Sequence, residues 1–140
     1  MAAWHALIRG HGGMMRKLEA ELQAAHGLSL AAYEVLAHVS EASDRRLRMS
    51  DLTTCSQLSP SGLTRLVDKL VRDGLVERVR CAADARVVYA ALTERGLEQL
   101  EAAYPTHLRG VRAHAIDRWD RDERDTVACA LGKLADLSPH

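Results

Sequence analysis

The polar and apolar residues of this chain alternate with a helical period over most of its length. In residues 4–26 and again in residues 120–137, apolar side chains recur on one side of a predicted helix. Residues 60–73 show the same pattern more strictly, because four apolar residues follow the i, i+3, i+4, i+7 rule and the opposite face is polar. These four residues are Leu63, Leu66, Val67 and Leu70. The patterns predict amphipathic helices packed around a shared core.

Capping residues predict where the helices begin and end. Ser59 followed by Pro60 is typical of a helix start, because Ser accepts a bond from a free backbone N–H and Pro suits the first helical position. Gly27 and Gly74 are predicted to end the helices before them, since Gly adopts the left-handed backbone at low cost. Further predicted N-caps are Ser29, Ser50, Thr93 and Asp120, the last in a capping box with Glu123.

After the 60–73 helix, the spacing of the apolar residues changes from a helical period to a period of two residues. The segments 76–81 and 87–92 are rich in Val and predict two strands, joined by a hairpin loop at 82–86. Residues 40–48 are polar and basic and predict a loop. The resulting order is two helices, a short helix, a well-capped helix, a hairpin and two helices. The predicted fold class is therefore mainly α with a small β-hairpin.

Composition narrows the functional classes. The 140 residues fit one domain, and no apolar run approaches the ~20 residues that span a bilayer. Without a signal-peptide pattern, and with an odd number of cysteines, the chain is predicted to be cytoplasmic. Cys55 falls on the inward side of its short helix and is predicted to be a buried structural thiol. The other cysteines, Cys81 and Cys129, fall in the hairpin and the last helix.

Charge is distributed unevenly, although the formal net charge is zero. The segment from Arg45 to Arg86 has nine basic and five acidic residues, whereas the two ends of the chain are acidic. We find no Ser/His/Asp order, no Gly-rich phosphate loop and no metal-spaced histidines. The sequence therefore predicts no enzyme, no cofactor and no metal site, and it favours an anionic partner for the middle of the chain.

The two helices on either side of Ser59 have the arrangement of a helix-turn-helix. In that motif the second helix enters the major groove of DNA, and its N-terminal residues meet the base edges. Ser61 and Gly62 are small enough to allow close approach there. A basic hairpin directly afterwards is predicted to act as a wing that enters the minor groove.

The sequence resembles the MarR family of winged helix-turn-helix regulators. The resemblance rests on four runs, LSPSGLTRLVDKL at 58–70, DGLVER at 73–78, DAR at 84–86 and LTERG at 92–96. It implies a homodimeric transcriptional regulator, expected to be a repressor, that binds a pseudo-palindromic double-stranded operator. It also implies a winged helix-turn-helix region at 29–103, with dimerisation helices at 1–28 and 104–140.

The resemblance places the DNA contacts on the 60–73 helix and on the wing. Asp84 and Arg86 match the family's wing-tip acid and base, but Ala85 stands where many members have a first Arg. Arg78 and Arg80 share one face of a strand, where they contact either phosphates or solvent. The expected contacts of the recognition helix and its start are Ser59, Ser61, Gly62, Thr64, Arg65 and Lys69.

Three further expectations concern supporting residues and the alternative function. Asp68 is expected to orient Arg65 or Arg72 on the recognition helix. The resemblance also implies that a small aromatic or phenolic anion lowers the DNA affinity by binding between the dimerisation helices and the DNA-binding lobes. Arg9, Tyr33 and His38 are the candidate pocket residues, chosen by position. The alternative is a winged-helix module that binds protein, and it requires an exposed apolar face on the 60–73 helix.

Overall fold

The computed structural model describes residues 1–135, so the predicted end of the last helix at 136–137 lies outside the described residues. The helices are α1 Ala2–His26, α2 Leu30–Glu41, α3 Met49–Cys55, α4 Pro60–Arg72, α5 Glu94–His114 and α6 Arg121–Ala135. The strands are β1 Arg46–Arg48, β2 Val76–Arg80 and β3 Val88–Leu92. The prediction of a mainly helical fold with a small hairpin wing is confirmed. Within residues 1–135, every helix is too short or too polar to cross a membrane.

Local capping chemistry sets most helix ends as predicted. The Ser59 hydroxyl accepts from the backbone N–H of Gly62 at 3.2 Å, and Pro60 occupies the first turn of α4. Gly74, which follows α4, has a φ of 74°, a left-handed conformation that favours glycine. The other confirmed caps are Ser29 on α2, Thr93 on α5 and the reciprocal Asp120–Glu123 capping box on α6.

Strand β1 corrects the prediction of a loop at 40–48. Residues Ser43–Arg45 form a short 3-10 helix, and Arg46–Arg48 pair antiparallel with β3. The sheet has the order β1-β3-β2, so β1 extends the hairpin on the β3 side. Leu47 packs against the core while its two arginine neighbours are exposed, which is the alternation expected of a half-buried strand.

Helix α3 differs from the prediction in two respects. It begins at Met49, and the Ser50 hydroxyl donates to the Asp51 carboxylate at 3.3 Å instead of capping the helix. Cys55 is exposed, so its prediction as a buried thiol is wrong. The reason is that α3 has only seven residues and buries only Leu52.

The core lies where α1, α2, α3, α4 and α5 meet the inner face of the sheet. Its largest fully buried side chains are Leu22, Val35, Leu36, Val39, Leu52, Leu63, Val67, Leu70 and Val76. Helix α5 packs on α1 through small residues, since a side chain added at Gly110 would overlap Leu18. The helical spacing of Leu97, Leu100, Tyr104, Leu108 and Val111 predicts that they face inward, but Tyr104 and Leu108 are exposed.

Candidate nucleic-acid interface

Helix α4 buries one face and presents the other to solvent. Leu63, Val67 and Leu70 are buried in the core. Gly62 is half-buried beside the cap, and a Cβ there would lie 3.1 Å from the Ser59 hydroxyl, so the small residue preserves the start of the helix. The exposed residues of the helix and its start are Ser59, Pro60, Ser61, Thr64, Arg65, Lys69, Val71 and Arg72.

The wing carries a cation that its own acid holds in place. Both carboxylate oxygens of Asp84 accept bonds from the Arg86 side chain, at 3.1 and 3.2 Å, and Oδ1 also accepts from the Arg86 backbone N–H at 3.0 Å. This side-chain and backbone bonding lowers the pKa of Asp84. The Arg86 side chain is nevertheless 91% exposed. The guanidinium is therefore oriented by the acid and remains available to a ligand.

Two of the predicted cations are paired within the protein. The Arg78 guanidinium binds the Asp68 carboxylate, which joins β2 to α4. Asp68 therefore does not orient Arg65 or Arg72, because it pairs with Arg78 on the adjacent strand. Lys69 binds Asp73, the residue directly after α4, at 2.6 Å.

Arg65 is not held by an acid. Among residues 1–135 it forms no salt bridge, and the same is true of Arg80 at the exposed end of β2. The guanidinium of Arg65 on the exposed face of α4 is therefore free to bind an external acceptor.

A groove of about 570 Å³ runs between α4 and the wing. It brings together Thr64, Arg78 and Arg86 from three different elements. Ser59 and Ser61 lie nearby at the start of α4 but do not line it, and Lys69 lines a separate cavity facing the α1–α2 turn. The other residues lining the groove are Arg48, Met49, Ser50, Val87 and Val88.

Arg48 lines this groove but is not among the residues that the sequence predicts to contact DNA. The segment that contains it was predicted to be a loop, whereas it forms β1 beside β3. The alternation of Arg46, Leu47 and Arg48 is the signal that could have identified a strand with two arginines on its outer face.

The three candidate pocket residues differ in their exposure to solvent. Arg9 is exposed on α1, His38 is half-buried on α2, and Tyr33 is buried with its ring centroid 4.4 Å from that of His107. Burial raises the pKa of Tyr33 and lowers the pKa of His107. Within residues 1–135, no hydrogen bond or ion pair joins any two of the three candidates, and the pocket at these positions remains a prediction.

Helix α4 is capped and has a polar outer face, and the hairpin that follows it has an arginine near its tip. This arrangement is typical of a winged helix-turn-helix DNA-binding domain. A sequence profile of the MarR family matches residues 26–87. The chain is similar in structure to AbsC, a MarR family transcriptional regulator from Streptomyces coelicolor, with a TM-score of 0.91. The two sequences are 34% identical, and the match covers 97% of this chain and 91% of AbsC. The chain therefore belongs to the MarR family of transcriptional regulators.

Two further relatives are similar to most of this chain. Sco3205 from Streptomyces coelicolor, a MarR family regulator whose structure is in complex with DNA, is 29% identical with a TM-score of 0.92, and the match covers 99% of this chain and 90% of Sco3205. The transcriptional repressor YetL of Bacillus subtilis is 32% identical over 111 residues, which are 79% of this chain. The chain spans 66% of the length of YetL.

Proposed function

We propose that the protein binds double-stranded DNA as a homodimer and represses transcription. The observation that carries the proposal is the shared groove between α4 and the wing. Thr64 and Arg86 line this groove, so one duplex can meet both elements. Helix α4 would lie in the major groove, with Ser61 and Arg65 directed at base edges. Arg86 would enter the adjacent minor groove, where the negative potential attracts arginine.

Exposed apolar side chains on the outer helices support the dimer. Trp4 and Ile8 on α1 are 57% and 52% exposed, and Leu131 and Leu134 on α6 are also exposed. A second copy that covers these faces would form a closed twofold assembly, the commonest arrangement of homo-oligomers. The twofold axis would also present two α4 helices to the two halves of a pseudo-palindromic operator.

Sedimentation tests the dimer directly. We expect a single species of twice the chain mass at micromolar concentration. A monomer under these conditions would contradict the assembly, and with it the paired recognition of two half-sites.

The composition of α4 favours DNA over a protein partner. A protein-binding module would need an apolar outer face, but on α4 the only large apolar side chain that is exposed is Val71. The remaining exposed residues of the helix are hydroxyl-bearing or charged, with Pro60 at its start. Hydroxyl and guanidinium groups are the donors used to read base edges and bind phosphates.

Release of DNA by a small aromatic or phenolic anion is the regulatory part of the proposal. Such a ligand acts only if it binds the DNA-competent and DNA-incompetent shapes with different affinities. Arg9, Tyr33 and His38 remain the proposed pocket, with the Tyr33 ring supplying an aromatic surface. A panel of phenolic acids that changes neither DNA affinity nor melting temperature would eliminate this ligand class.

Selection from a pool of random duplexes tests DNA recognition without knowledge of the operator. The proposal predicts enrichment of an inverted repeat with half-sites about one helical turn apart. Binding of the enriched duplex should persist in excess random competitor. A pool that shows no enrichment after repeated rounds would contradict sequence-specific binding.

A further inference from the structure

We propose that Arg48, on strand β1, is a phosphate-binding residue of the DNA interface and that Tyr89, on strand β3, positions it. The inference rests on the proposed DNA-binding function and adds a contact that neither the recognition helix nor the wing tip supplies. It concerns the edge strand of the sheet.

The Arg48 side chain is held against the sheet by Tyr89. The two residues lie directly opposite each other in the antiparallel register of β1 and β3. The Arg48 Nε donates to the Tyr89 hydroxyl at 3.3 Å, and the guanidinium carbon lies 5.9 Å from the centroid of the Tyr89 ring. The hydrogen bond with Tyr89 raises the pKa of Arg48.

The two terminal nitrogens of Arg48 are left for an external acceptor. Within the described part of the chain, neither Nη atom forms a hydrogen bond, and Arg48 has no salt bridge. A planar guanidinium can bind a phosphate with two parallel N–H donors. Holding Nε on Tyr89 reduces the rotamer entropy that the side chain would lose when it binds.

The position of Arg48 places it beside the proposed DNA path. It lines the same groove as Thr64 of α4 and Arg86 of the wing. A duplex that contacts both of those residues therefore passes Arg48. Because Tyr89 belongs to β3, which leads out of the wing, the wing and Arg48 are parts of one sheet and should engage the duplex together.

Arg46 provides a matched comparison two residues earlier on β1. Its guanidinium carbon lies 5.6 Å from the centroid of the same Tyr89 ring, and its side chain is exposed on the same face of the sheet. However, Arg46 pairs with Asp44 at 3.5 Å and does not line the groove. The two arginines have the same charge and a shared aromatic neighbour, but they differ in access to the groove.

The test compares Arg48→Gln, Arg46→Gln and Tyr89→Phe in a salt series on a duplex selected by the wild-type protein. Each phosphate contact contributes about 0.9 to the slope of log affinity against log salt, so Arg48→Gln should make the slope of a dimer shallower by nearly two. Its affinity should fall by roughly tenfold or more, as expected for a charge-assisted contact. Arg46→Gln should leave slope and affinity nearly unchanged. Tyr89→Phe should weaken binding with the slope retained, because the charge stays while its anchor is lost.

The outcomes separate this inference from the function on which it rests. An unchanged slope for Arg48→Gln, with tight wild-type binding, would overturn the inference alone. Equal losses of DNA affinity for Arg48→Gln and Arg46→Gln would also overturn the inference. They would indicate long-range electrostatic attraction by both charges and not a direct contact by Arg48. Failure of the wild-type protein to bind any duplex would overturn the proposed function itself. Melting temperatures check folding, and Arg48→Met, which keeps the apolar stem, replaces Arg48→Gln if that variant is unstable.

Discussion

The ion pair between Asp68 and Arg78 is predicted to stabilise the arrangement of recognition helix and wing. It joins α4 to β2 across ten residues of sequence. Asp68→Asn and Arg78→Gln remove one charge each with little change of shape, and the double variant removes both. If the pair contributes to folding, the losses in free energy of unfolding caused by the two single variants will add up to more than the loss caused by the double variant.

The expected coupling is about 1 kcal/mol. The side chains of Asp68 and Arg78 are 41% and 36% exposed, so the pair lies between a surface and a buried environment. Exposed pairs contribute about 0.2–1 kcal/mol, whereas hydrogen bonds to charged groups contribute about 1.5–3 kcal/mol. A coupling of about 1 kcal/mol corresponds to roughly a fivefold change in the ratio of folded to unfolded protein.

Urea unfolding at a fixed protomer concentration measures the coupling, since the stability of a dimer depends on concentration. The Lys69–Asp73 pair on α4 is a suitable control, because its spacing of four residues predicts only about 0.3–0.5 kcal/mol. Additive single variants, with no coupling above that of the control pair, would refute a structural role for Asp68 and Arg78.

Three further predictions concern packing, pH and the wing. Gly96→Ala should destabilise the protein by about 3 kcal/mol, because the added Cβ would overlap the carbonyl oxygen of Leu75. The control Gly13→Ala should stabilise the protein by about 0.5–1 kcal/mol, because no atom lies near the added Cβ and Ala favours a helix more than Gly does. Urea unfolding measures both changes. Burial lowers the pKa of His107, so the unfolded chain binds a proton at this residue more readily than the folded chain does. The stability of the protein should therefore fall as the pH drops below 6.5. Between pH 7.5 and pH 5.5, the melting temperature of His107→Asn should fall less than that of the wild type. Arg86→Ala should weaken binding to all duplexes and change the salt slope by about one unit per wing, and full affinity of this variant would exclude the hairpin as a DNA-binding wing.

Most helix boundaries could be predicted because their causes are local. The Ser59 hydroxyl caps a backbone N–H three residues away, and Gly74 needs only its own left-handed backbone. Such signals lie within one turn of the chain and can be identified from sequence alone.

The features that the sequence did not predict depend on distant partners. Strand β1 has three residues, and its pairing with Tyr89 is visible only after the chain folds. Tyr104 is exposed because another face of α5 packs on α1, where Gly110 lies close to Leu18, some ninety residues away in sequence. Short strands and helix rotations of this kind follow from tertiary packing, which overrides local pattern.

The candidate site shows the same division. The exposed face of α4 and the Asp84–Arg86 pair follow from helical period and from neighbours two residues apart. The pairing of Arg78 with Asp68 and the contribution of Arg48 to the groove both depend on strands meeting other elements.

The variant Arg65→Ala tests whether α4 reads DNA sequence. We expect the variant to lose about 1–3 kcal/mol of discrimination between the selected duplex and a scrambled duplex, which is roughly 5- to 150-fold. Arg72→Ala is the matched control, because Arg72 is exposed at the opposite end of the same helix, away from the N-terminal turns that meet base edges. We expect Arg65→Ala to weaken binding to the selected duplex far more than binding to the scrambled one, and Arg72→Ala to affect both alike. Equal losses on the two duplexes for Arg65→Ala would contradict base recognition by this residue.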